Sequence, residues 1–404
     1  MAFNDALWSQ LPLEVIEQIL SFLPMPDLCR FCTTCKTWNE LINNPAFSVL
    51  HVRNRNKHSP FIAIHSITTS ILNGPRAYID GSQVLCFLDI SSKKWYSVKP
   101  RDGLETSFLF DPQHFQIVAM DGGLVLLKAL KRTSKLCHHE SGCIQLCVWN
   151  PIKNMKIILP CIPNHNDSLT NFVVDDIAET FKVFVMMKGW KSRVVNIYDS
   201  VMKEWKTSSK LEMINKRMCI VLQSIVFQNL LYILLDIISD DSFHYELWRY
   251  NYIADIWERL HFAEGCFVEP LEDYIWKNGM FEQFVVSGER LFLTYESNTP
   301  QHEFEVHEID IQRRSTKVLL TCTRRHIMRF FDIDVRYFPS IQVIGFNKSL
   351  MLVFNLSRNI VIFDVETKEI NLEWPQLPLR KLRVEEKYSL MGKQMNFLLP
   401  GTLK

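Results

Sequence analysis

Six times along the chain an apolar run ends in Asp or Asn, at intervals that stay close to one another. The anchors are Asp89, Asn150, Asp199, Asn251, Asp310 and Asp364, separated by 61, 49, 52, 59 and 54 residues. The residue before each anchor is large and apolar: Leu88, Trp149, Tyr198, Tyr250, Ile309 and Phe363. The residue four before it is aliphatic: Leu85, Leu146, Val195, Leu247, Val306 and Ile360. Three segments carry Trp six residues past the anchor, Trp95, Trp205 and Trp257. This reads as a strand, a turn and a returning strand. A carboxylate or amide suits such a turn because it accepts from nearby backbone N–H groups. One small sheet cannot bury its faces alone, whereas a ring of them can.

The segments between anchors agree. Phe61–Ile64, Phe181–Val185, Leu291–Leu293 and Leu350–Val353 are short β-rich runs bounded by turn residues. Ile225–Leu235 breaks at Gln228-Asn229, as a hairpin would. The longest apolar region, Ile220–Ile238, contains Gln223, Ser224, Gln228, Asn229 and Asp236. A membrane span would bury all of these polar groups, so paired strands are expected.

The chain has 404 residues, 47% hydrophobic and 22% charged, enough for two or three domains. Its net charge of +1 supplies no whole-chain field toward nucleic acid or an anionic membrane, and neither partner is expected. The 11 cysteines are odd in number and lack framework spacing. Met1–Asp5 has neither the basic start nor the apolar core of a secretory signal. The expectation is an intracellular protein, nuclear or cytoplasmic, with free thiols.

The first forty residues follow a different period. Leu11, Val15, Ile16, Ile19, Leu20 and Leu23 recur at three- and four-residue steps, one apolar face of a helix. Ser9 is a candidate N-cap, with Pro12 in the first turn. Pro24 and Pro26 should end this helix. Asp27 can cap a second helix carrying Leu28 and Phe31, and a third should run from Thr34 to Ile42, stopped by Asn43-Asn44-Pro45. Three short helices make a marginal fold. Spacing alone leaves two readings open, a cap packed on the main domain or a unit with apolar positions meant for a partner. The basic stretch His51–His58, ending at Ser59-Pro60, reads as a solvated connector.

The order Leu11-Pro12-x-Glu14-Val15-x-x-x-Ile19-Leu20-x-Phe22-Leu23-Pro24, then Asp27-Leu28, then Cys35-Lys36-x-Trp38, closely resembles the F-box motif. That resemblance implies docking of a Skp-type adaptor, which connects to a cullin scaffold. By position, Leu11, Pro12, Val15, Ile19, Leu20, Leu23, Pro24, Leu28 and Trp38 would meet the adaptor. The repeat period resembles that of kelch repeats. Their double glycine stands once clearly, in Asp121-Gly122-Gly123, and the corresponding turns elsewhere are Gln228-Asn229, Ser287-Gly288 and Asn347-Lys348. Together the two resemble the plant F-box/kelch-repeat proteins. The fold expected from this is mostly β: a three-helix F-box over residues 1–50, a linker over 51–60 and a kelch-type β-propeller over 61–400. Six blades are counted, and five or seven are compatible with the degenerate repeats.

No phosphate-cradling loop, zincin helix or nucleophile elbow is present. Cys29, Cys32 and Cys35 have no fourth ligand nearby and read as small buried thiols. Cys137, His138, His139, Cys143 and Cys147 fit no standard metal spacing. No catalytic residue and no cofactor is expected. Two segments mix aromatics with charge: Gly265–Phe284, holding Tyr274 and Trp276, and Thr323–Ser340, holding Arg324, Arg325, Arg329 and Tyr337. Both read as surface loops able to bind a target, although aromatics of this kind also fill blade cores. The resemblance therefore implies a substrate-recognition subunit of an SCF-type ubiquitin ligase with an unidentified target. A non-degradative scaffold or transcriptional co-regulator, or a propeller enzyme, are the alternatives.

Overall fold

A computed structural model describes residues 11–54, 61–70, 79–98, 115–129, 143–151, 155–163, 168–175, 178–187, 194–211, 218–238, 243–262, 282–296, 304–332, 341–354, 357–378 and 386–395. Four short helices open it: α1 (Leu13–Leu20), α2 (Met25–Cys32), α3 (Lys36–Ile42) and α4 (Pro45–Arg53). Pro12 occupies the N-cap position of α1, while Ser9 lies outside the described residues. Pro24 is the N-cap of α2 and Pro26 sits in its first turn, where a missing N–H costs nothing. Asp27 therefore does not cap. It lies inside that turn and pairs with Arg30 at 2.8 Å. Cys35 caps α3, its Sγ accepting from the Trp38 N–H at 3.5 Å.

The fourth helix was not expected. Pro45 does not end a helix but begins one, and α4 takes up the first part of the stretch read as a connector. His51 is buried, with Nε2 3.2 Å from the Leu23 carbonyl and its ring stacked on Phe47.

Beyond the helices the strands form six four-stranded antiparallel sheets, and Cys143–Ile144 pairs with Ile162–Pro163 in a separate two-stranded ribbon. From inner to outer strand the second blade is Phe115–Asp121, Leu124–Ala129, Leu146–Asn150 and Met155–Ile158. The third is Ser168–Asp175, Thr180–Met187, Val195–Asp199 and Glu204–Thr207. The fourth is Met218–Phe227, Leu230–Ile238, Phe243–Asn251 and Ile256–Leu260. The fifth is Glu282–Ser287, Arg290–Glu296, Phe304–Asp310 and Ser315–Cys322. The sixth is Ile341–Phe346, Ser349–Phe354, Ile360–Asp364 and Ile370–Asn371. The first blade takes Phe61–Ser70, Ile79–Asp89 and Lys94–Val98 from the start of the propeller, but its inner strand is Glu386–Met395 from the end. Each inner strand meets the inner strand of the next blade, and that of the sixth meets Glu386–Met395, so the ring closes.

The repeat has a direct structural meaning. Every anchor is the last residue of a third strand. The residues one and four before it lie on opposite faces of that strand, because their separation is odd. Leu88, Trp149, Tyr198, Tyr250, Ile309 and Phe363 all join the apolar core shared with the preceding blade. Leu85, Leu146, Val195, Leu247, Val306 and Ile360 all join the core shared with the following one. The motif thus records that a propeller blade is buried on both sides.

The anchors build the turns as well. Oδ1 of Asp89 accepts from the Ser91 N–H, that of Asp199 from Val201, that of Asn251 from Ile253 and that of Asp364 from Glu366, each at 2.9–3.0 Å. Lys93, Lys203, Asp255, Arg314 and Lys368, each four past an anchor, adopt positive φ and reverse the chain. Partial burial raises the carboxyls of Asp89 and Asp199, but the Ser91 and Ser92 hydroxyls hold the first below the usual range and Lys182 with the Val201 N–H the second; the Thr367 and Glu366 N–H groups do the same for Asp364. The recurring tryptophans do more than pack beside their own strand pair. Nε1 of Trp95 donates to the Pro375 carbonyl (3.3 Å), that of Trp205 to Pro160 (2.8 Å) and that of Trp257 to Ser209 (3.1 Å). Each acceptor follows the outer strand of the preceding blade, so the tryptophan latches one blade to the next.

Among the described residues no helix is long and apolar enough to cross a membrane.

Candidate functional site

Strand direction gives the ring two unlike faces. Phe61 pairs with Asp89 and with Met395, so the propeller begins at the end where the hairpin and Asp/Asn turns lie. The helical unit therefore joins the turn face. Each outer strand ends, and each next inner strand begins, at the opposite end, here called the loop face.

On the helical unit, α1 divides its apolar residues between two sides. Leu20 is 1% exposed, and Ile16 and Leu23 pack on the same cluster. Leu28, Leu41, Ile42 and Phe47 complete that core, which runs into the first two blades through Phe61, Phe87 and Trp149. The other side of the helix is open. Leu11, Val15, Ile19 and Phe22 are 38%, 42%, 38% and 37% exposed, with Leu13 exposed beside them. Val15 and Ile19 stand one turn apart on the helix, while Leu11 just precedes it and Phe22 just follows it.

The site residues expected from the F-box resemblance fall into three groups. Leu11, Pro12, Val15 and Ile19 are exposed. Leu23, Pro24 and Trp38 are half-buried, the last stacked on Phe31 with ring centroids 4.8 Å apart. Leu20 and Leu28 are corrected: both are sealed inside the chain and hold the helices together, so neither is available to a partner. Phe22, which is not among the expected residues, is exposed as well. It lies in the quoted motif one turn past Ile19, and the signal was there. The cysteines also need correction, since Cys29 and Cys35 are exposed and Cys32 only half-buried, as these short helices leave one side open.

Of the second set of expected residues, Arg324, Arg325 and Arg329 lie on the loop face. Thr323–Ser340 is not simply a loop, because it opens with α5 (Arg324–Phe331). Thr323 and His326 form its capping box, and Asp332 ends it at φ 50°. Ile327 and Phe331 are each 1% exposed in the core between the fifth and sixth blades. Arg324, Arg325 and Arg329 project from the outer side and are exposed. Tyr274, Trp276 and Tyr337 lie outside the described residues. Near the same end, Glu296 accepts from the Ile341 N–H at the start of the sixth blade. Burial pushes its carboxyl up to about 8, an effect that this hydrogen bond opposes.

Cys147 is buried in a strand, and its thiol is raised to about 11, chiefly by burial. Among the described residues no group of three His, Cys, Asp or Glu is placed to hold a metal. Cys137, His138 and His139 lie outside them.

Comparison with known proteins bears on both parts. A model of the F-box domain matches residues 8–50. The F-box/kelch-repeat protein At3g23880 of Arabidopsis thaliana is 24% identical over 210 residues, covering 49% of this chain and 51% of that protein. The F-box/kelch-repeat protein At3g61590 of the same plant is 32% identical over 161 residues, 40% of this chain and 32% of that protein. The chain spans about half the length, or less, of the curated relatives it matches. Among solved structures, TolB from Acinetobacter baumannii matches 83% of this chain and 66% of its own at 10% identity, with a TM-score of 0.42. The chain therefore carries F-box helices followed by a six-bladed, mostly β propeller, and is similar to plant F-box/kelch-repeat proteins.

Proposed function

We propose that this F-box propeller chain is the substrate-recognition subunit of an SCF-type ubiquitin ligase. Its helices dock a Skp-type adaptor, and through it a cullin scaffold, while the propeller holds a target protein. The observation that carries this reading is the open stripe of Leu11, Val15, Ile19 and Phe22 on a helical unit whose own core is already filled. Scattered exposed apolar residues need no explanation, but four at steps of four, four and three along one short helix and its two ends fit helix-face docking. Leu23, Pro24 and Trp38 are half-buried and would add to the contact with the adaptor.

The two faces of the ring support the division of labour. The adaptor end sits on the turn face, and a target held on the loop face would be presented away from it. Such a receptor contributes proximity, with the transfer chemistry supplied by other subunits. It needs no catalytic residue and no cofactor of its own.

The test is co-purification with a Skp-type adaptor. Val15→Asp with Ile19→Asp should abolish it, while Arg313→Glu on an outer turn should leave it intact. Retained binding in the double variant would overturn the docking assignment. A target whose abundance does not respond to removal of the helical unit would overturn the degradative role.

A further inference from the structure

The outer side of α5 breaks two local rules. Arg324 and Arg325 occupy its first turn, where the helix dipole favours acids, and that turn contains none. Arg325 and Arg329 stand four residues apart, the spacing at which like charges repel on a helix. Among the described residues no ion pair engages Arg325 or Arg329. A like-charge pair such as Arg325 and Arg329, left without an ion pair, is the kind of local mismatch that functional surfaces carry.

The helix cannot turn to relieve them. Its underside is locked by Ile327 and Phe331, the Phe331 ring lying 5.3 Å from that of Phe354. The Phe331 carbonyl accepts from the Ser357 hydroxyl at 2.8 Å. Half-buried Met328 and Phe330 border the arginines, with Phe330 stacked on His326 at 6.0 Å. The result is a fixed cationic ridge edged by apolar groups on the loop face.

We propose that this ridge binds an anionic segment of the target protein, its carboxylate or phosphoryl groups taken by the guanidinium groups of Arg325 and Arg329. The inference rests on the reading of the chain as a target receptor and names the chemistry of what it receives. Guanidinium forks match both anions, and arginine beside an aromatic ring is a composition enriched in protein-binding hot spots. Nucleic acid fits less well. Its affinity comes from many phosphate contacts, and 45 basic against 44 acidic residues leave this chain without an extended positive field.

The test is fluorescence anisotropy with the full chain and three labelled short peptides: a Glu/Ser repeat, its Gln/Ser counterpart, and the Gln/Ser peptide phosphorylated on serine. Binding of the glutamate or the phosphorylated peptide, without binding of the neutral one, supports the proposal and identifies which anion is read. Loss of one charge-assisted hydrogen bond corresponds to about tenfold in affinity, so Arg325→Gln with Arg329→Gln should weaken binding by about a hundredfold. Arg313→Glu, on the turn face, should change it little. Equal weakening by Arg313→Glu, equal binding of all three peptides, or no binding of any would overturn the proposal. So would a DNA duplex that binds as tightly and loses affinity equally in the double variant. Adaptor co-purification reads the opposite face. Its failure in the unaltered chain would sink the receptor reading and leave the peptide result standing.

Discussion

Asp255 offers a stringent test of how the blades are joined. Its Oδ1 accepts from the Tyr250 hydroxyl at 2.6 Å and from the Ser209 N–H at 2.9 Å. Ser209 belongs to the connection from the third blade, and Trp257 of the fourth donates to its carbonyl at 3.1 Å. One carboxylate thus ties a buried tyrosine and the neighbouring blade to a single turn. Asp255→Ala removes the acceptor. A hydrogen bond to a charged group is worth about 1.5–3 kcal/mol, and the half-exposed carboxylate warrants the low end. Asp255 also sits at φ 56°, where an alanine adds about 1 kcal/mol of backbone strain. The sum is a loss of about 2–3 kcal/mol. Asp255→Asn keeps the acceptor and tolerates the same φ, so it should lose less than about 1 kcal/mol.

Urea denaturation of the two variants beside the parent measures this difference. The carboxyl is held below the usual range first by the Tyr250 hydroxyl and then by the Ser209 N–H. A depressed carboxyl contributes stability above its unfolded pKa of about 3.9 and loses it as pH falls through the lower folded value. The parent's advantage over Asp255→Asn should therefore shrink below about pH 4. Equal losses in the two variants, or an alanine loss under about 0.5 kcal/mol, would refute the joint.

Outcomes are expected for four further variants. Gly345→Ala should be costly, about 3 kcal/mol, because its Cβ would press into the Val286 carbonyl where two inner strands meet. Gly288→Ala, at φ 60° with its added Cβ 2.9 Å from the Asn347 carbonyl oxygen, should cost less, about 1–2 kcal/mol; a reversed order of urea midpoints would refute the close approach. Glu296→Gln should flatten the pH dependence of stability between about pH 5 and 8. The raised carboxyl makes folding progressively less favourable as pH rises through that window, by about 1–3 kcal/mol, and glutamine removes the charge. A parent and variant with parallel pH profiles would show that Glu296 does not titrate there. Val15→Asp with Ile19→Asp should leave the thermal midpoint within a few degrees of the parent, because both side chains are exposed. A large drop would mean that the stripe supports the fold rather than a partner.

Much of the propeller was legible in the sequence because each blade announces itself locally. Asn251 and Tyr250 could be recognised as an anchor and its apolar neighbour without knowing what Tyr250 touches. The latch role of Trp257 could not, since its acceptor Ser209 is 48 residues away and is a backbone carbonyl, which any residue type supplies. In the helical unit the 3.6-residue period identified the apolar positions but not their division. Leu20 and Ile19 are adjacent and similar in chemistry, yet one is sealed in the core and the other open. Pro45 misled for a related reason, because a proline that stops one helix is equally suited to the first turn of the next.

The sequence alone therefore determined the local units: the strand–turn–strand segments, their recurrence, and a short helical module resembling an F-box. These depend on side-chain periodicity and turn chemistry within a few residues. Only the tertiary structure decided how the ring closes, by pairing Phe61–Ser70 with Glu386–Met395. It also decided which side of α1 is left for a partner, and that α5 lies across the ring from the helices. Those outcomes depend on which surfaces meet across hundreds of residues, and burial is a property of the surfaces that meet.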